Sequence, residues 1–234
     1  MTVEGSLPVQ YVETRRSGTR QESWIAEPYL AVRASHWIEP DLRTSVFANG
    51  GHDPLGSFRD SANTVASFGA NLVKSWGSLS TGVSVEHSYY YDGVFGPPNM
   101  IANDVNIFAR YEFRPNRDLR ITPELVGTVR ADDGFDVSRY TYSFRTEVEQ
   151  RLIGSWWWVV KPRIRYAAYV GDESGRHDLT LSIVSGLRYQ FTENVSFLAV
   201  AGYETRDSNI AGKSFDKLVG GVGLDFKFNP KLPW

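Results

Sequence analysis

The 234-residue chain has no cysteine, two methionines and four histidines. Without thiols there can be no disulfide, no thiolate metal centre and no cysteine nucleophile, and such a chain crosses an oxidising compartment with nothing to mispair. Long apolar runs are missing too. The longest, Trp156 to Val160, falls far short of the ~18 residues a membrane-spanning helix requires. With a mean hydropathy of -0.32 the chain is too polar for helical spans, and its net charge of -2 comes with no nucleic-acid signature, so no nucleic-acid partner is expected. Metal-ligand spacings and phosphate-cradling loops are absent, so no cofactor and no metal site is expected. Gly220-Gly221-Val222-Gly223 lies inside a strand-like segment, where glycine relieves crowding or permits curvature. The start, Met1-Thr-Val-Glu-Gly, has neither the basic nor the apolar region of an export signal, and reads as a mature form or a barrel cut from a longer chain.

What the chain does have is alternation. From Leu119 to Ala131, Leu119, Ile121, Pro123, Leu125, Gly127 and Val129 alternate with Arg120, Thr122, Glu124, Val126, Thr128 and Arg130. Strand side chains point to opposite faces with period two, so one face is apolar and the other charged. The next segment sets Tyr140, Tyr142, Phe144, Val148 and Leu152 against Arg139, Thr141, Ser143, Arg145, Glu147, Glu149 and Arg151. A third sets Trp156, Trp158, Val160, Ile164, Tyr166 and Val170 against Lys161, Arg163 and Arg165. These runs reach about 13 to 16 residues, against roughly 5 to 6 for a strand of a soluble sandwich. A tilted strand crossing a bilayer needs ~9 to 11 in the hydrocarbon, so the length favours an all-β, antiparallel, up-and-down transmembrane barrel.

The pattern places strands near 8 to 16, 23 to 38, 42 to 50, 61 to 74, 78 to 91, 102 to 114, 118 to 131, 138 to 152, 156 to 170, 178 to 191, 194 to 206 and 214 to 228. That is twelve, with residues 1–234 forming one barrel domain; the first segment is short and poorly patterned, which leaves counts from ten to fourteen open. Connections at Glu39-Pro40-Asp41, Trp76-Gly77, Pro115-Asn116-Arg117, Ile153-Gly154-Ser155 and Thr192-Glu193 are short; those at 49–60, 92–101, 131–137, 171–177 and 206–213 are longer. Short turns belong on the periplasmic side, which puts both termini there. Pro28, Pro123 and Pro162 fall inside strands, where a bulge or a misplaced strand limit is expected. Trp37, Trp76, Trp156, Trp157 and Trp158 map to the short-turn end and Trp24, Tyr89, Tyr90, Tyr91, Tyr140, Tyr169 and Tyr203 toward the other, as two interfacial girdles would. Aromatics of a sandwich core would instead sit at strand centres.

On these residues the chain resembles bacterial outer-membrane β-barrels of the porin type. Its last strand, Leu218 to Phe228 with alternating Leu224, Phe226 and Phe228 and the final Trp234, is similar to the terminal strand by which such barrels reach the outer-membrane assembly machinery. It departs from that pattern in the residues Asn229 to Pro233 that precede the last aromatic. In size and strand number the chain is similar to the monomeric twelve-stranded channels for acidic sugars, whose lumens carry arginine rows. The resemblance implies residence in the bacterial outer membrane among lipids and lipopolysaccharide, and passive diffusion of small polar or anionic solutes.

The charged faces would then line a lumen: Arg120, Arg130, Arg139, Arg145, Arg151, Lys161, Arg163 and Arg165 against Glu124, Glu147 and Glu149, eight basic groups to three acidic ones. Guanidinium groups lower the barrier for anions, so a mild anion preference is expected. The same charges can instead pair across the wall and brace it, with Arg145–Glu124 and Glu147 or Glu149 with Lys161 or Arg163 as candidate pairs. Glu27, Arg33, Arg43, Glu86, Asp104, Arg110, Glu112, Arg188, Glu204 and Lys217 extend a mixed polar lumen, and the long loops are acidic at Asp53, Asp60, Asp92, Asp132, Asp133, Asp136, Asp172, Glu173 and Asp207. The four histidines are His36, His52, His87 and His177; only Glu86-His87-Ser88 brings a hydrolase-like set together, and neighbours in a strand face opposite ways, so no enzyme is expected. The rival reading is a non-conducting anchor, or the translocator barrel of a longer secreted or surface protein.

Overall fold

The computed structural model describes residues 1–16, 18–26, 28–52, 64–91, 98, 100–133, 138–170 and 175–228, the side chains of 23–26 and 52 excepted. Fourteen strands run β1 (Thr2–Arg16), β2 (Thr19–Ala26), β3 (Tyr29–Glu39), β4 (Leu42–His52), β5 (Thr64–Trp76), β6 (Leu79–Tyr91), β7 (Met100–Tyr111), β8 (Phe113–Asn116), β9 (Leu119–Asp132), β10 (Arg139–Arg151), β11 (Trp156–Tyr169), β12 (His177–Gln190), β13 (Val195–Ser208) and β14 (Phe215–Phe228). All pair antiparallel with their neighbours, and β1 pairs with β14 from Val3↔Phe228 to Arg15↔Asp216, which closes the sheet on itself. Closure removes every free edge, as a bilayer demands of backbone groups it cannot hydrate.

Two pairs of strands are single staves with a break, so the closed wall has twelve. β2 and β3 both lie on β1 in one register, Val9↔Ala26 above and Ser6↔Tyr29 below, and the gap falls at Pro28. β7 and β8 both lie on β9, through Arg110↔Glu124 and Phe113↔Ile121, and their gap falls opposite Pro123. A proline has no N–H to give the ladder. Pro162 acts in the same way without splitting its strand: β10–β11 pairing lapses between Arg145↔Arg163 and Val148↔Val160 and resumes in the same register. The pairing thus carries no bulge at Pro28, Pro123 or Pro162, while at Pro28 the other expected outcome is found: a strand limit, with β2 ending at Ala26 and β3 starting at Tyr29. Register shifts occur instead between Trp37 and Glu39 and between Phe113 and Asn116, both beside turns. The first strand starts at Thr2 rather than near 8, because Gly5, Ser6 and Pro8 blur an alternation that the register nevertheless keeps.

The short connections gather at one end, and Gly77 (φ 61°) and Gly154 (φ 56°) supply the left-handed backbone that two of them need. One short link, between β1 and β2 across 17–18, stands at the opposite end among the long connections. Packing is inverted relative to a soluble domain. Ile107, Tyr142, Leu125 and Val46 are 66%, 62%, 59% and 59% exposed on the outside, while Ser45, Ser67, Asp178 and Glu149 are among the buried residues. An apolar belt this continuous would aggregate in water and needs a hydrocarbon surround.

The girdles are thinner than expected. Trp76, Trp156 and Trp158 face outward at the short-turn end, as Tyr89, Tyr140 and Tyr203 do at the other, but Trp37, Trp157, Tyr90 and Tyr169 share the lumen-facing parity of their strands. Consecutive aromatics in a strand cannot all face lipid. The side chain of Trp24 lies outside the described residues.

Candidate functional site

Because cross-strand partners share a face, the register fixes which charges meet inside the barrel. All eleven sequence-predicted lumen residues have the inward parity of β9, β10 and β11. They do not form one uniform wall. Glu124, 6% exposed, is held from both sides, by Arg145 and by Arg110 at 3.0 Å. Glu149, 2% exposed, pairs with Arg120 and with Arg188, whose Nη2 approaches at 2.7 Å as an ion pair rather than an aligned hydrogen bond. Glu147 takes Lys161 at 2.7 Å, and Arg130 makes a two-pronged contact with Asp104, its Nε at 2.6 Å. The expected pairs Arg145–Glu124 and Glu147–Lys161 are present. Glu149, by contrast, reaches Arg120 and Arg188 instead of β11, since the residue opposite it on β11 is Val159.

The remaining four basic groups lie outside this network. Arg151 sits at the short-turn mouth, its Nε donating to the Gly154 carbonyl at 2.9 Å, and Arg139 lies 5.6 Å from the Tyr169 ring near the other mouth. Arg163 has no hydrogen-bond or ion-pair partner among the described residues, and Arg165 has only the Thr180 hydroxyl at 3.4 Å. The register explains why: Arg163 stands between Arg145 and Ser182, and Arg165 between Ser143 and Thr180, with no carboxylate in either flanking position.

Of the further inward charges, Asp104, Arg110 and Arg188 join the network, Glu86 accepts from Ser67 at 2.6 Å, and Arg33 and Arg43 lie over the Phe47 and Trp37 rings. Glu27 and the loop residues Asp53, Asp60, Asp92, Asp136, Asp172 and Glu173 lie outside the described residues. Two groupings went unread in the sequence. Trp157 lies between Arg151 and Arg188, at 6.0 and 5.8 Å, and Asp178 is gripped by Arg176 and the Tyr169 hydroxyl. Arg188 and Tyr169 come from neighbouring strands and Arg151 from across a turn, which spacing along the chain does not reveal; Arg176 and Asp178, by contrast, stand only two residues apart. His87 faces outward beside Asn103 at 2.7 Å while Ser88 is buried on the inner face, as the alternation requires.

Two cavities in the lumen are formed by the described residues. One, of about 730 Å³, spans the short-turn end from Ser6 and Asp225 to Arg120, Glu149 and Trp157. The other, of about 550 Å³, lies deeper, between Arg145 and Arg163 on one side and Val184, Gly202 and Val219 on the other.

No family model and no curated protein sequence matches the chain. Among solved structures it is similar to a bacterial polysaccharide outer membrane secretin, with a TM-score of 0.63 at 10% identity over 97% of each chain. It is also similar to an outer membrane channel from Pseudomonas putida F1, with a TM-score of 0.61 at 10% identity over 97% of this chain and 95% of that one. A KdgM porin in complex with disordered oligogalacturonate matches with a TM-score of 0.49 at 12% identity over 95% and 99%. At these identities the likeness is one of fold, and with the closed twelve-stave wall, the outward apolar belt and the charged interior it makes this chain a β-barrel of the bacterial outer-membrane type.

Proposed function

We propose that the protein is an outer-membrane channel for passive diffusion of small hydrophilic solutes, with a mild preference for anions. The observation that carries this reading is the pair Arg163 and Arg165, two lumenal guanidinium groups with no carboxylate partner among the described residues. Arg130 and Lys161 are each matched by one acid, whereas Glu124 and Glu149 each serve two arginines, so those two clusters keep one positive charge apiece. Arg163 and Arg165 add two whole charges with no acid beside them, and they carry the largest share of the anion preference. A twelve-stave wall is wider than the eight-strand barrels that side chains fill, and the two lumenal cavities agree with a narrow water path. Arg139, Arg151, Glu124, Glu147 and Glu149 position and brace this wall. The outward Leu224 and Phe228 on β14 are the residues we assign to recognition by the assembly machinery, and lipopolysaccharide is the outer-leaflet surround.

The ion-pair network also favours a second reading, a rigid non-conducting anchor or translocator. Single-channel recording of the purified protein under a KCl gradient separates the two. The channel reading expects steady openings and a reversal potential favouring chloride, lost in the Arg163→Ser, Arg165→Ser double variant. A folded but silent barrel establishes the anchor reading, and unchanged selectivity in the variant removes the arginine pair from the mechanism.

A further inference from the structure

We propose that the deeper lumenal cavity binds amphiphilic organic monoanions, a carboxylate on a compact apolar body, in preference to wholly hydrophilic anions of the same charge; this deepens the channel reading and rests on it. Midway along the barrel the otherwise polar inner face of β12, β13, β14 and β1 carries two largely apolar rows. The register lines up Lys161, Val184, Gly202, Val219 and Val12 in one row across five staves, and Val159, Gly186, Val200 and Gly221 in the row beside it. These positions face the lumen. At Gly202 an added Cβ would stand 2.9 Å from a methyl of Val184, so the row has no room for the polar side chain that would wet it.

Directly next to the apolar rows lies a row of opposite character: Arg163, Ser182, Glu204 and Lys217. Among the described residues none of Arg163, Glu204 and Lys217 has an ion-pair partner within 4.0 Å, so the row carries two cations, one anion and one net positive charge. One row further along, Arg206 stacks 4.4 Å from the Phe215 ring, and its Nε is buried without a hydrogen-bond partner. The cavity wall has only a small surplus of positive charge, which suits a monoanion; a polyanion would meet Glu204 with its second charge. The cavity between these rows and Arg145, about 550 Å³, has the size of a small-ligand site. A hydrophilic anion gains only the charge there. An anion with an aryl or short alkyl body also covers Val184 and Val219, which water otherwise has to wet.

The test uses 4-phenylbutyrate and gluconate as probes on the purified full chain. Calorimetric titration in detergent micelles, against protein-free micelles, reads binding without relying on conduction; block of the KCl current in a planar bilayer reads it during transport. We expect 4-phenylbutyrate to bind on the order of tenfold more tightly than gluconate. Arg163→Gln should weaken both probes. Val219→Ser should weaken only 4-phenylbutyrate, by about fivefold, and Val184→Thr repeats this test should Val219→Ser fail to fold. Equal affinities, or a loss that ignores the valine changes, overturn the proposal while chloride-selective conductance leaves the channel reading in place. A silent barrel that still discriminates the two probes in the calorimeter overturns the channel reading and keeps the site.

Discussion

Glu124 is the carboxylate whose removal tells most about the interior. Its side chain is 7% exposed and holds Arg110 and Arg145, each 50% exposed, so that one residue links β7, β9 and β10. Glu124→Gln keeps the shape and one acceptor but deletes the charge. The arginines remain half in water, so each lost pair is worth about what a surface pair is, ~0.2 to 1 kcal/mol, and the variant should lose about 0.4 to 2 kcal/mol of stability. Conductance should change in the opposite sense. A unit charge about 7 Å from a permeating ion acts with ~0.6 kcal/mol at the dielectric of water. At 0.1 M salt, with a screening length of ~10 Å, roughly half of that survives. The effect has opposite sign for chloride and potassium, so their permeability ratio should rise about threefold.

The assay is the reversal potential of the Glu124→Gln channel at 0.1 M and at 1 M KCl, with urea unfolding from liposomes as the stability readout. At 1 M the screening length shrinks to ~3 Å and the increment should disappear. An unchanged ratio at low salt, in a variant of normal conductance, would refute the placement of Glu124 beside the ion path. A loss of stability well above 2 kcal/mol would refute the treatment of its arginine pairs as solvated.

Two further outcomes are expected. Leu125→Arg, at the middle of β9 on the outer face, should cost ~2 to 4 kcal/mol and reduce the heat-modifiable folded fraction on a gel; normal insertion would reverse the assignment of faces. Pro162→Val should restore the ladder bond facing Thr146 and raise stability by ~1 kcal/mol in urea titrations, and no gain would mean that the lapse in the β10–β11 ladder has another cause.

Most of the wall was legible in the sequence because each stave carries its own record of two faces. Leu119 to Val129 states its outer and inner sets without help from a neighbour, and the observed strand β9 has the faces read from it and, to within one residue at each end, the limits. What could not be read is relative register. Whether Glu149 meets Lys161, Arg163, Arg120 or Arg188 depends on how adjacent staves slide past one another, and a two-residue slide keeps every face intact while changing every partner. Proline was over-read at Pro123 and Pro162, though not at Pro28, for a related reason. A missing N–H can be absorbed by a local lapse in pairing, as at Pro162, and an extra residue is not required. The apolar inner rows escaped notice because β13 reads Phe197-Leu198-Ala199-Val200-Ala201-Gly202, with no polar residue to mark its inner face.

The pairing of β1 with β14 also bears on how the molecule is made. It joins Val3 to Phe228, so the two staves that complete the cylinder come from nearly opposite ends of the polypeptide. Every other neighbouring pair can zip as soon as its hairpin exists, whereas this one must await the final segment and pays the largest loop-closure entropy of any contact in the wall. Until then the chain is a curled ribbon with two raw edges, and its greasy side has no finished cylinder to pack around. The time spent waiting for the first and last staves to meet, rather than the formation of any one hairpin, should therefore set the pace at which the cylinder is completed.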